Sequence, residues 1–264
     1  MTAVTTDEGV ALSYATAGDG PPHLLFMHGW AGSGRYFDAT IEHLHLTHLG
    51  VVTYDLRGHL ESAPAPDGYT LDQIAADALA VADDAGLGEF VLVGFSMSAK
   101  FCQYVSVVAP DRVAGQILIA GCPTGEIPLP REMTDDWLSR EGDPVRMAQV
   151  AEPFMTRPVE PELMERFGRD AATVGRAALA GTLDAACATS FTDRLASLTT
   201  PTLVVGGSGD PMFPPDALRA AVVAPLAGAR LALVDCGHEV PIEAPRELAA
   251  LIEAFLAGLP PLAR

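Results

Sequence analysis

The chain has 264 residues, 49% of them hydrophobic and 19% charged, with a net charge of −18. That apolar share supports a large core and excludes a mainly disordered chain. The acidity excludes a nucleic-acid partner, which needs clustered Lys and Arg, and disfavours an anionic membrane surface. No apolar run reaches the roughly 18 residues needed to span a bilayer.

The opening MTAVTTDEGV has neither a basic n-region nor an apolar h-region, so a cytoplasmic protein is expected. The four cysteines (Cys102, Cys122, Cys187 and Cys236) form no CxxC pair and are expected to be buried thiols, not metal ligands or disulfides. Nothing in the sequence signals a quaternary state.

In chain order, residues 3–5 and 10–15 flank the turn Asp7-Glu8-Gly9 and read as an N-terminal hairpin. Residues 23–27, 51–55, 90–95, 116–120, 202–206 and 230–235 are short runs rich in Val, Ile, Leu and Ala, as strands covered on both faces should be. Amphipathic helices are predicted over residues 35–48, 71–84, 98–108, 215–223 and 244–257. Thr70, with Gln73 three residues on, predicts a capping box at the start of the second. Strands alternating with helices imply an α/β fold: a mostly parallel, doubly wound sheet with helices on both faces.

Residues 124–198 break this rhythm, with no convincing strand and repeated prolines between short helical segments. The expected organisation is a core of residues 1–123 and 199–264, with residues 124–198 inserted as a helical cap.

In an open parallel sheet, ligands bind beyond the carboxyl ends of the strands. The predicted strand 90–95 runs into Gly94-Phe95-Ser96-Met97-Ser98 and then a helix. Small neighbours let strand and helix approach closely around an exposed serine. The similar Gly206-Gly207-Ser208 is followed by Asp210-Pro211, not by a helix. His238 follows the last strand, with Gly237 freeing the loop to aim the ring. Asp210 follows the strand before it, 28 residues earlier, room for one helix and one strand. Glu126, after the strand ending at Ala120, is a second candidate acid. Asp235 is expected to pair locally.

These landmarks resemble the α/β-hydrolase superfamily, in its serine-hydrolase branch. Gly94 to Ser98 is similar to that family's Gly-x-Ser-x-Gly elbow, with Ser98 where glycine is usual. Ser98 is expected to be the smallest tolerated substitute, its hydroxyl bonded to nearby backbone. The order Ser96, Asp210, His238 is the family's order of nucleophile, acid and base. His28-Gly29-Trp30 resembles the family's oxyanion loop. By that resemblance the N–H groups of Trp30 and Met97 form the oxyanion hole, and His28 braces the loop. Asp55-Leu56-Arg57-Gly58-His59-Leu60-Glu61-Ser62 resembles an Asp-x-Arg-Gly-x-Gly-x-Ser turn, with Leu60 in place of glycine.

The resemblance implies a serine hydrolase acting on a small-molecule ester or lactone through an acyl-enzyme, with no metal and no organic cofactor. Perhydrolases and carbon–carbon bond hydrolases use the same triad. A receptor-like binding module would need the pocket but not all three reactive groups. Trp30, Trp137 and Phe154 are expected to line the substrate pocket.

Overall fold

The structure, a computed structural model, describes residues 2–18 and 20–260, without the side chains of residues 196 and 197. Its eight strands are β1 (Thr2–Thr5), β2 (Ala11–Ala17), β3 (His23–Met27), β4 (Gly50–Tyr54), β5 (Phe90–Phe95), β6 (Val113–Ile119), β7 (Thr202–Gly207) and β8 (Arg230–Val234). They form one sheet in the order β1-β2-β4-β3-β5-β6-β7-β8. β1 with β2 and β2 with β4 are antiparallel; every other pair is parallel.

Side-chain alternation explains why the central strands read as unbroken apolar runs. Leu24, Phe26, Val91 and Val93 enter one core, while Leu25, Met27, Phe90 and Leu92 enter the other. The helices are α1 (Asp38–Ile41), α2 (Leu71–Asp84), α3 (Met97–Val108), α4 (Arg131–Leu138), α5 (Pro144–Ala148), α6 (Pro161–Ala171), α7 (Arg176–Cys187), α8 (Pro215–Leu218), α9 (Val240–Glu243) and α10 (Pro245–Leu256). α2 and α3 cover one face through Ile74, Ala78, Val81, Phe101 and Val105. α10 covers the other through Leu248, Ile252 and Phe255.

Two expected helices are interrupted. Residues 35–48 form a 3₁₀ turn (Gly34–Phe37), α1, and a second 3₁₀ turn (Leu46–His48). The stretch is rich in aromatic and β-branched residues and His, all modest helix formers. Thr40 is also drawn to another partner, its hydroxyl donating to Pro241 O at 3.1 Å. Beyond α8, residues 219–223 widen into a π-turn. The capping box is half made: Thr70 Oγ accepts from the Gln73 N–H, but the Gln73 side chain turns to Asp77.

Between β6 and β7, no strand occurs among the described residues; α4 to α7 fill the interval. Their small cores are shared with the loop after β3: Met147, Ala171, Val174 and Leu179 pack with Ala31, and Trp137, Val150 and Leu183 with Trp30. Lys100, the only lysine, is buried. From α3 its ammonium donates to Gly125 O (2.9 Å), Ala186 O (2.8 Å) and Thr189 O (2.6 Å), tying the core to the C-terminal end of α7. No described helix is long and apolar enough to cross a membrane.

Candidate active site

Ser96 stands at the turn from β5 into α3, with φ 53° and ψ −114°. Non-glycine residues rarely hold positive φ, and here the surroundings impose it. The Ser96 N–H donates to Ile119 O at 2.8 Å, and its carbonyl accepts from Ala99 and Cys122, each at 3.1 Å. The approach of α3 requires glycine at position 94, where a Cβ would lie 2.5 Å from both Ser98 O and Cys102 Sγ.

Ser98 departs from expectation. Its hydroxyl ignores the local backbone and donates to the carbonyl of His28, 70 residues away. The side chain is wholly buried where α3 meets the end of β3, and that carbonyl is the acceptor within reach.

His238 Nε2 lies 3.0 Å from Ser96 Oγ, and its Nδ1 lies 2.9 Å from Asp210 Oδ2. Asp210 Oδ1 accepts from the Met212 N–H (2.7 Å) and the Phe213 N–H (3.0 Å), so the carboxylate is held at both oxygens. The His238 N–H donates to Phe154 O at 2.8 Å. A Cβ at Gly237 would sit 2.3 Å from that same oxygen, so the loop passes only as glycine.

Glu126 is exposed and does not reach the histidine; the Nδ1 partner is Asp210. Ser208 is exposed as well, with its hydroxyl 3.5 Å from exposed Asp235.

Burial opposes a charge on His238. The hydrogen bond to Asp210 and the charges of Glu239, Asp210 and Glu243 outweigh it, and the pKa is raised above 6.5.

Met97 opens α3, so its N–H has no acceptor within the helix. Among the described residues, neither this N–H nor that of Trp30 donates to a protein acceptor, and both residues line the cavity over Ser96. His28 braces the loop between them: Nδ1–H donates to Gly29 O (2.8 Å) and Nε2 accepts from the Leu56 N–H (3.0 Å). The His59 ring lies 4.9 Å from it. Burial lowers the pKa of His28 well below 6.5 and pushes His59 down to about 4, so both stay neutral near neutral pH.

The turn after β4 is a scaffold. Asp55 Oδ1 accepts from the Gly34 N–H at 2.8 Å, and Arg57 pairs in two bonds (2.6 and 2.7 Å) with buried Asp77. Leu60 takes the glycine-like conformation itself, at φ 40°.

A cavity with mostly apolar walls lies over Ser96. Trp30, Trp137 and Phe154 all line it, in a chain of rings leading to His238. Successive ring centres lie 5.5, 6.2 and 6.3 Å apart. Trp30 is pinned by its indole N–H, which donates to Leu179 O at 2.8 Å.

Three residues escaped the sequence reading. Glu243 is buried and accepts from the N–H groups of Thr156, Arg157, Gly237 and Glu239 at 2.7 to 3.0 Å, clasping the His238 loop to the segment that holds Phe154. Glu239 and Tyr36 form a buried pair on the cavity wall, the Tyr36 hydroxyl donating to Glu239 Oε2. The only signal for Glu239 was its place directly after His238, and a buried carboxylate looks like a solvated one in sequence.

Residues 24–251 match the model of the alpha/beta hydrolase family, and the chain belongs to that family. Its curated relatives include a non-heme haloperoxidase of Rhodococcus erythropolis, 31% identical over 232 residues and covering 81% of this chain and 84% of that one. A bifunctional esterase/perhydrolase of Acinetobacter calcoaceticus is 30% identical over 228 residues, covering 80% of this chain and 83% of that one. Among solved structures, a thermophilic esterase from Thermogutta terrifontis superposes with a TM-score of 0.82 at 26% identity over 97% of each chain.

Proposed function

We propose that the protein is a serine hydrolase that cleaves a small carboxylic ester or lactone through an acyl-enzyme intermediate. The observation that carries this reading is the hydrogen-bonded line from Asp210 through His238 to Ser96 at the base of an apolar cavity. His238 takes the Ser96 proton as the hydroxyl attacks the acyl carbon. Asp210 holds the ring in the tautomer that leaves Nε2 free and stabilises the imidazolium. The negative oxygen forms between the Trp30 and Met97 N–H groups. His238 then protonates the leaving group, and water releases the acid by the reverse path. A lactone is an ester closed on itself and passes through the same steps.

Residues 124–198 are proposed to act as a cap, with Trp137 and Phe154 setting which acyl chains fit.

The haloperoxidase and the esterase/perhydrolase favour a second reaction on the same site. Hydrogen peroxide in place of water would take the acyl group and leave as a peracid.

Purified protein tested on short-chain p-nitrophenyl esters and simple lactones should turn over at least one, with and without peroxide. Absence of turnover across the whole panel, in folded protein, would overturn the reading.

A further inference from the structure

The cavity wall is apolar almost throughout and includes Trp30, Phe95, Trp137, Phe154, Phe167 and Phe213. The exception beside the reactive groups is Glu239. Only 7% of it is exposed, and it lines the same cavity as Ser96 and His238. A carboxylate is costly to bury unless its oxygens are paired.

Half of that pairing is present. Oε2 accepts from Tyr36, whose ring is stacked on Phe95 at 5.3 Å and packed against Phe167 at 5.6 Å, so the hydroxyl is fixed in place. The Glu239 N–H is held by Glu243. Among the described residues, no protein donor reaches Glu239 Oε1, and it is not one of the fully enclosed unpaired atoms, so it keeps some access to the cavity. None of the described residues lining the cavity is Lys or Arg. The open oxygen therefore stands in a pocket with nothing of its own to satisfy it.

We infer that Glu239 Oε1 is a recognition point for a hydrogen-bond donor on the substrate, and that the pocket selects neutral or cationic esters bearing a hydroxyl, amide N–H or ammonium group near the scissile bond. This rests on the ester-cleaving reading above and narrows it. A purely apolar substrate leaves Oε1 buried without a partner. A substrate carrying a carboxylate meets Glu239, with no Lys or Arg among the described lining residues to receive it. The Tyr36 hydroxyl donates to Oε2, and an ionised carboxylate offers only acceptor sites at Oε1.

The test compares kcat/KM within two matched sets. On the acyl side these are p-nitrophenyl butyrate, its β-hydroxy and β-methoxy analogues, and the p-nitrophenyl half-ester of succinic acid. On the alcohol side they are propyl butyrate, glycol monobutyrate and its methyl ether. In the wild type, the hydroxyl-bearing member of at least one set should exceed its unsubstituted partner by at least about tenfold. The methoxy and succinyl members should fall below it.

Glu239→Gln presents an N–H to the cavity once its oxygen takes the Tyr36 hydroxyl. That N–H is accepted by a methoxy oxygen as well as by a hydroxyl, so the hydroxyl-to-methoxy ratio should drop to about one, and the succinyl ester should gain relative to butyrate. Circular dichroism and labelling of Ser96 by a fluorophosphonate establish that the variant is folded. A wild-type ratio of about one in both sets, a preference for the methoxy esters, or a hydroxyl-over-methoxy preference that survives Glu239→Gln would each overturn the inference while leaving esterase activity standing. If no ester is turned over at all, the functional reading falls and takes this inference with it.

Discussion

The Ser98 hydroxyl donates to the carbonyl of His28, and so ties the first turn of α3 to the loop that carries Trp30. His28 is held at three points, since its ring also bonds Gly29 O and the Leu56 N–H. Both proposed oxyanion donors therefore hang from one braced unit, Met97 from the helix and Trp30 from the loop. Ser98→Ala should cost about 1 to 2 kcal/mol in stability by leaving a buried carbonyl unpaired. It should lower kcat by about tenfold as Trp30 shifts. Urea unfolding and kcat on the best ester are the measurements. No change in either means that the bond does not hold the loop.

Lys100 makes a comparable tie from the other face of α3. Burial lowers its pKa, yet three carbonyls surround the ammonium. Lys100→Met keeps the length and removes every donor, so the protein should lose about 3 kcal/mol. A loss below about 0.5 kcal/mol in chemical denaturation would show that the tie contributes nothing.

Much of this was legible in the sequence, for a reason that particular residues make clear. That Ser96, Asp210 and His238 would meet was legible because parallel strands end at one edge, so residues just after β5, β7 and β8 are brought together by topology. The two-faced strands were legible because both cores accept their alternate side chains. What local pattern cannot carry is a partner distant in sequence. Ser98 reads as a helix-start hydroxyl until the docking of β3 supplies His28 O. Residues 35–48 read as one helix until Pro241 claims Thr40 and aromatic packing breaks the run. Nothing in the local sequence sets Glu239 apart from a solvated carboxylate until Tyr36 pairs with it in the cavity wall.

The pH profile follows from the charges around His238. The neutral ring accepts the Ser96 proton, so kcat/KM should fall as pH drops through the His238 pKa, which lies above 6.5. Asp210, Glu239 and Glu243 all favour the imidazolium. Glu239→Gln removes one of these charges, destabilises the charged ring and should move the acidic limb to lower pH. A wild-type limb at or below pH 6.5, or one that Glu239→Gln leaves in place, would contradict this electrostatic account.

The proposed cap, residues 124–198, should govern which substrates fit without taking part in proton transfer. Trp137 packs between Trp30 and Phe154, so Trp137→Ala enlarges the cavity next to the acyl site. KM for short esters should rise and longer acyl chains should gain, with kcat on the best substrate held within about tenfold. Phe154→Ala should act similarly, because it is the backbone carbonyl of Phe154 that holds His238. Loss of turnover with every chain length, in folded protein, would mean that the cap supplies a reacting group.

The central claim is that Ser96 is a nucleophile activated through His238 and Asp210. Its most direct test is reaction with a fluorophosphonate, with the adduct located by mass spectrometry and the rate followed in variants. One adduct is expected, on Ser96, absent in Ser96→Ala. Labelling should slow by several orders of magnitude in His238→Ala and by about 10⁴ in Asp210→Asn, and stay unchanged in Glu126→Gln. An adduct on Ser208, or labelling of Ser96 that proceeds as fast without His238, would contradict it.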